Sequence, residues 1–600
     1  MTHHHSRRAL ARQMLFGSMT LCAGALASST WADGLKSPDA ENMKLVGHND
    51  MQNRPIYQPT VHKYPGNTGN AYANHIVLFA GLHNASGGGG CTNALPNPLN
   101  GGVCENDGTL IVEVTQPSNP QIIKHLPPAN PKNMMAQMVR VCDGKTGTLG
   151  TTGHVYMLRS DGSGGGNGQH DVYDVTDPSN PVATTHGVPI TDTVSGQSLS
   201  GLTATHKSWW ECDTGIAWIV AGAGPTAAHP DGWTTNQHMK IYDLSDPNNP
   251  RYIRDIGLLG QNPGSAVTTA TSGVHGPYIA LTNPATGEAI NRGYIPYGTS
   301  SNGVFQIVNR SMVLPQNYVT TAGQMIGTST GWVPVNADSA IHPTDQEMKD
   351  IVIGSMDMTP TEGAHSACPL YNVPLAHYQG FTSYNTRDYV QLISEETDQE
   401  CNGAPHFGYL VDATRTKGAG AASTGEQHPM VVSTMQVFED ADSTGNGNNN
   451  GNGNGNGNGN GNSRGNNGNG GNGSKPDYCS RGTRFGTHSC NEALAHVPST
   501  FFAPDFGKLT YIAYFDGGAR VFDIRDPYHP KDVAHYVAAV TSLPYGEQPP
   551  NIENGVLVHD VSHNNLEEDS NGLIYSVDRV GYGLNILMLM PPASLIRNSP

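Results

Sequence analysis

Apolar and polar residues alternate over short stretches of this chain, and no long segment carries the 3.6-residue apolar spacing of an amphipathic helix. The clearest alternating stretch, VYDVTDPSNP (172–181), returns as IYDLSDPNNP (241–250) and VFDIRDPYHP (521–530), and more loosely as IVEVTQPSNP (111–120). Each begins as a strand with one buried face. Asp-Pro then ends it: the Asp side chain can cap the following amides, and Pro removes a ladder donor and fixes φ. The second proline opens an extended segment, RYIRDIG or KDVAHYV, which predicts the next strand. Upstream of the phrase stands another strand ending in a turn: HVYMLRSDG (154–162), IAWIVAGAG (216–224) and LTYIAYFDGG (509–518).

The last proline of each phrase falls at 120, 181, 250 and 530, at intervals of 61, 69 and 280. The long interval equals four steps of about 70, which leaves room for three units without the phrase. Two can be read, VHGPYIAL…GYIPYG…GVFQIVNR (274–310) and AHSACPL…DYVQLISEE…GYLVDATR (364–415), the latter running into PMVVSTMQV. The unit with VFDIRDPYHP follows, and then VHDVSHNN…NILML (558–589), which lacks its final strand. Seven units of about four strands predict an all-β, seven-bladed β-propeller. KLVGHND (44–50) has the character of the segment that follows each phrase, yet no phrase precedes it. Paired with the last unit, it closes the ring with both chain ends and leaves no sheet edge exposed.

The strand–turn–VxDVxDPxxP unit resembles the LVIVD repeat of bacterial secreted β-propellers over most of residues 44–590. RFGTHSCNE, ARVFDIRDPYHPKDVAHYV and NGLIYSVDRVGYGLNIL carry the likeness most specifically. The resemblance implies a propeller and assigns no chemistry, because fold does not fix function.

The N-terminus has the form of a signal peptide over 1–32: the basic SRRALARQ, the apolar MLFGSMTLCAGALA, and small residues before a cut after Ala32. A single propeller domain then spans 33–600, interrupted at about 440–476 by a Gly/Asn tract with nothing to bury. A secreted or periplasmic protein is expected, with no integral membrane segment. A net charge of −18 argues against nucleic acid as a partner and leaves an extracellular ligand or protein partner unidentified. In an oxidising compartment the eight cysteines after Ala32 imply disulfides, with 91–104, 368–401 and 479–490 as close neighbours and 142–212 left over.

Histidine is abundant, 26 in all, against only 32 Lys plus Arg. His206, His275, His365, His488, and either His563 or His559 stand at the start of the first strand of their units, with His62 assigned the same place in the first. A propeller's first strand lines the central channel, so such imidazoles converge and could hold copper or iron, with zinc a third candidate. They could equally be structural, bonded to neighbouring backbone and water. Glu395, Glu396 and Glu492 are candidates to orient an imidazole. One of Trp209 and Trp210 is expected in the core and the other at the channel mouth. Asp161, Asp516 and Asp578 are expected to form turns. GTSTG (327–331) matches G-x-S-x-G, but WVPVNADSA after it is no helix, so it is no nucleophile elbow. Two functions remain: a binding or interaction propeller with a site on one face, and a metal-dependent oxidoreductase with axial histidine ligands.

Overall fold

The computed structural model describes residues 38–597 except 84–88, 93, 130–134, 144–152, 162–168, 186–205, 223–231, 236, 270–272, 376–385, 399–400, 402, 416–424, 438–477, 479–483, 493–506, 540–550, 554–555 and 559–560. The signal-peptide segment, the Gly/Asn tract, His559 and Cys479 lie outside the described residues.

Seven antiparallel four-stranded sheets form the ring. Blade one is Ile56–Lys63, Ile76–Leu82, Thr109–Glu113 and Gln121–Leu126; blade two is Val139–Asp143, Val155–Asp161, Gln169–Asp174 and Val182–Thr185. Blade three is Ser208–Trp210, Ile216–Ala221, His238–Asp243 and Arg251–Ile256; blade four is Tyr278–Thr282, Ala289–Tyr297, Val304–Asn309 and Val352–Asp357. Blade five is Ser366–Pro374, Thr386–Ile393, Gly408–Asp412 and Met430–Met435; blade six is Ser489–Cys490, Leu509–Ala513, Ala519–Asp523 and Lys531–Val537. Blade seven takes His563–Glu568, Leu573–Asp578 and Leu584–Leu589 from the C-terminus, and its outer strand is Met43–Asn49. The ring therefore closes as the sequence predicts, Met43 opposite Leu589 and Asn49 opposite Leu584. One feature goes beyond that expectation: Asp39–Glu41 adds a fifth strand to blade six, along Val537, Tyr536 and His535.

The repeated phrase is each blade's third strand and the turn that follows. Asp177, Asp246 and Asp526 each accept, through a carboxylate oxygen, the amide two residues on, as an Asx turn requires. Gly518, at φ +85°, turns the chain between the second and third strands of blade six, and a Cβ there would stand 2.3 Å from the Tyr536 carbonyl oxygen. The long interval holds two blades rather than three. Its extra length lies partly in an excursion between the third and fourth strands of blade four, which carries the short helices Arg310–Val313 and Asp345–Asp350. Both blades keep the backbone mark of the repeat. The third strand slips register at Ile307/Val308 and Leu410/Val411, just as it does at Val172/Tyr173, Ile241/Tyr242 and Val521/Phe522.

Apolar packing runs between blades. Val77, Phe79 and Ile111 of blade one pack with Val139, Val141 and Met157 of blade two, and Leu78 and Ala80 pack with Tyr575 and Val577 of blade seven. Full burial of a Val, Leu, Ile, Phe or Met side chain contributes roughly 1.5–3 kcal/mol relative to exposure. Trp209 and Trp210 illustrate this two-sided burial. Both are fully buried, Trp209 against Tyr278 of blade four and Trp210 in a cluster with Leu158 of blade two, so neither reaches the channel mouth.

Disulfides join Cys91 to Cys104, Cys142 to Cys212 and Cys368 to Cys490. The last replaces two expected pairs, 368–401 and 479–490; Cys401 is also disulfide-bonded. Nearness along the chain misleads here, because Cys368 and Cys490 sit on the inner strands of adjoining blades, 122 residues apart in sequence.

Candidate functional site

In blades three to six one backbone position recurs at the head of the inner strand, where its amide bonds to the second strand of the same blade. The residue there is His206 (to Val220, 3.1 Å), His275 (to Pro296, 3.1 Å), His365 (to Ile393, 2.7 Å) and His488 (to Ala513, 2.9 Å). Equivalent positions point to the axis, so the four rings meet. Their centroids lie 4.2 Å apart for His206–His275, 3.8 Å for His275–His365 and 4.6 Å for His365–His488. Nε2 of His206 stands 2.6 Å from Nε2 of His275. Tyr57 completes the circuit, 5.6 Å from His488 and 5.5 Å from His206, with its hydroxyl 3.2 Å from His206 Nε2.

Other blades bring different residues to this layer. Blade two supplies Gln137, two residues ahead of its inner strand as His206 is in blade three, and its amide contacts His206 Nδ1. The inner strands of blades one and seven slip register near their start, at Ile56/Gln58 and His563/Asn565, so Tyr57 and Asn564 face the imidazoles. A one-residue shift exchanges the faces of a strand, and His563 is turned away from the axis by it. Its Nε2 accepts the Ala538 amide at 3.2 Å, and its Nδ1 lies 2.8 Å from Ser576 Oγ. His62 stands near the far end of Ile56–Lys63, with Nε2 3.4 Å from the Asp143 carboxylate. Four of the five expected histidines thus converge, and the axial place given to His62 belongs to Tyr57. Lining up the units by the head of the inner strand, rather than by the nearest histidine, would have found Tyr57, Gln137 and Asn564.

His488 Nδ1 donates to the Asn564 carbonyl oxygen at 2.5 Å, which leaves Nε2 with its lone pair facing the cluster. His365 Nδ1 pairs with Ser366 Oγ at 2.8 Å. Nε2 of His365 and of His488 make no hydrogen bond; they face Glu395, 3.4 Å from Oε2 and 3.8 Å from Oε1. Ligand atoms of His275, His365 and Glu395 all lie within 4.8 Å of one another. Burial, reinforced by Lys207, by neighbouring imidazoles except at His488 and by arginines except at His365, keeps the imidazoles neutral: His206 falls to about 3, and His275, His365 and His488 lie well below the usual histidine range. Neutral imidazole is the form that ligates a metal.

The other two carboxylates do different work. Glu492 is buried, which alone would push it up, but Lys207 at 2.7 Å and Arg140 at 2.6 Å hold it down at about 2. Lys207 also lies over the Tyr57 ring, 5.7 Å from its centre, so this ion cluster adjoins the aromatic circuit. Glu396 accepts the Asp398 amide and is pushed up to about 7 by burial. Asp578 accepts the amide two residues on, as a turn-forming residue does. Asp161 instead accepts the Ala129 amide at the end of blade one, a contact between blades, and the turn that follows it lies outside the described residues.

No family model matches this chain, and no curated protein matches it. Solved structures similar to it include Saccharomyces cerevisiae Sqt1 (8% identity over 92% of this chain and 100% of that one, TM-score 0.38). Others are the RRP9 WD40 repeats (7%, 92% and 99%, TM-score 0.38) and the WD40 β-propeller domain of Doa1 (8%, 92% and 96%, TM-score 0.35). Likeness at this level carries no argument about chemistry. No helix among the described residues is long and apolar enough to cross a membrane.

Proposed function

We propose that the protein is a secreted or periplasmic binding propeller whose ligand is a transition-metal ion, held on the ring axis by His206, His275, His365 and His488 with Glu395. The observation that carries this reading is the convergence of four neutral imidazoles, two with unbonded Nε2 atoms facing a buried carboxylate. Buried His62 and His170 also carry ring nitrogens without a hydrogen bond, so the convergence of four rings beside one carboxylate, rather than an unbonded nitrogen alone, marks the site. Imidazole-rich sites suit copper, zinc and iron, and affinity among divalent ions peaks at copper. Metal–nitrogen bonds of about 2.0–2.1 Å set neighbouring ligand atoms roughly 3 Å apart. The ligand atoms of His275, His365 and Glu395, within 4.8 Å of one another, would therefore draw in, and the Nε2 atoms of His206 and His275, 2.6 Å apart, would separate slightly. Export is supported by the basic–apolar–small pattern of residues 1–32 and by the disulfides. Membership of the LVIVD-repeat propellers is part of the same proposal and rests on the repeated phrase. The oxidoreductase expectation is not carried forward.

Elemental analysis of protein purified without an affinity tag tests the site. About one copper, iron or zinc per chain is expected, lost in a His275→Ala/His365→Ala variant that still folds. Protein that stays metal-free after incubation with each ion would overturn the proposal.

A further inference from the structure

Exposure around the imidazole circuit is uneven. His365 and His488 are fully buried, whereas His206 and His83 are half-buried on one side of the channel, together with Arg484 and Arg579. Both guanidiniums turn toward the same carboxylate oxygen. Glu395 Oε1 lies 3.0 Å from Arg484 Nη1 and 4.0 Å from Arg579 Nη1, while its Oε2 faces His365. Arg579 also reaches His83 Nε2 at 3.4 Å, and His83 stacks on Tyr57 with centroids 5.9 Å apart. Arg484 covers the Phe515 ring, which packs 4.9 Å from His488. Two planar cations, one over the Phe515 ring and one bonded to the His83 edge, therefore flank the half-buried side of the imidazoles and share one carboxylate.

A guanidinium offers paired donors that match a carboxylate or other oxyanion. Two guanidiniums against the single carboxylate of Glu395 leave a local excess of positive charge, which favours a small anion beside the imidazoles. We propose that Arg484 and Arg579 form the binding site for a small oxyanion of the carboxylate class, seated beside Glu395 and completing the coordination of the axial metal. The inference rests on the metal reading, and it names the co-ligand that this site takes.

Cobalt(II) gives the metal a visible spectrum, and formate is the probe. Protein loaded with cobalt at one per chain is titrated with sodium formate at constant ionic strength, and metal-free protein is titrated in parallel by calorimetry. A saturable change in the cobalt spectrum is expected, with formate binding at least tenfold weaker in Arg484→Gln and Arg579→Gln at unchanged cobalt stoichiometry. Where a glutamine variant loses the fold, the lysine variant at that position replaces it and should weaken formate at least threefold by losing the planar fork. Cobalt that binds with a spectrum indifferent to formate overturns the oxyanion site and leaves the metal reading standing. Failure of cobalt to bind overturns the metal reading; the oxyanion site is then judged on the metal-free titration, where arginine-dependent binding sustains it and no binding overturns it. Equal formate affinity in wild type and variants also overturns it.

Discussion

Blades three to six and blades seven, one and two complete the same ring but meet the axis differently. The first arc presents four histidines from one recurring backbone position. The second presents Asn564, Tyr57 and Gln137, which bond to those histidines or close their circuit. A repeat thus fixes where a side chain goes, and the residue placed there decides what it does. The seams between blades differ too. Disulfides join inner-strand segments of blades two and three and of blades five and six. At the seam of blades seven and one polar side chains cross instead: Glu567 Oε2 accepts the Val61 amide, Asn565 bonds Gln58, and Asn564 bonds the Tyr57 carbonyl oxygen.

The largest expected effect breaks the comparison at the axis. His275→Ala/His365→Ala should weaken metal binding by at least a hundredfold, measured by calorimetry with the metal found in the purified protein. His563→Ala should leave that affinity within about threefold and instead cost roughly 1–3 kcal/mol of stability, because the Ala538 amide loses its buried acceptor. Equal metal affinity in the two variants would dissolve the distinction between the arcs.

The disulfide seams come next. Cys368→Ser/Cys490→Ser opens a closure of 122 residues and should cost roughly 5 kcal/mol in urea unfolding, about 2 kcal/mol more than removal of Cys91–Cys104, which closes only 13. An equal loss in both variants would mean that the strand contacts, rather than the length of closed chain, govern these bridges.

Much of this difference was legible before the structure, and some was not. The punctuation Asp-Pro reports a local turn, so four units and their spacing could be read, and His206, His275, His365 and His488 could be lined up by position. What failed depends on register and on neighbours distant in sequence. A slip of one residue at His563/Asn565 exchanges two faces, and nothing in VHDVSHNN announces it. Cys368 and Cys490 meet because adjoining blades place their inner strands side by side, which spacing along the chain conceals. Glu395 was legible as a carboxylate near the site; Arg484 and Arg579 were not, since each reaches the axis from outside the histidine position.

The seam of blades seven and one sharpens the comparison through pH. Burial pushes the Glu567 carboxyl up to about 8, from an ordinary value of 4.5. A carboxyl whose folded value is raised favours the fold below the unfolded value, and that contribution is lost as pH rises through the folded one. Stability should therefore fall by a few kcal/mol between about pH 4.5 and pH 8, and Glu567→Gln should flatten the decline. Urea midpoints across that range measure it, and a decline as steep in Glu567→Gln as in wild type would assign it to another group.

The smallest effect concerns the punctuation itself. Two aspartates stand in each full phrase, and they have different jobs. The first closes the third strand by accepting the amide two residues on, as Asp174 and Asp523 do, and Asp412 does the same in blade five, where the phrase is not legible. The second, the Asp of Asp-Pro, forms the exposed turn, as Asp526 does with the Tyr528 amide. Asp526→Ala should cost no more than about 1 kcal/mol, since water replaces the lost acceptor; Asp412→Ala, which frees both the amide and the hydroxyl of Thr414, should cost about 1–2 kcal/mol. Thermal unfolding of the two variants decides between them. The expected order explains the silent blades: the most readable part of the repeat contributes least to stability, so it can be lost while the strand end and its register slip are kept. The reverse order would make the Asp-Pro turn a principal support of its blade, and blades four and five would then need a compensating contact in its place.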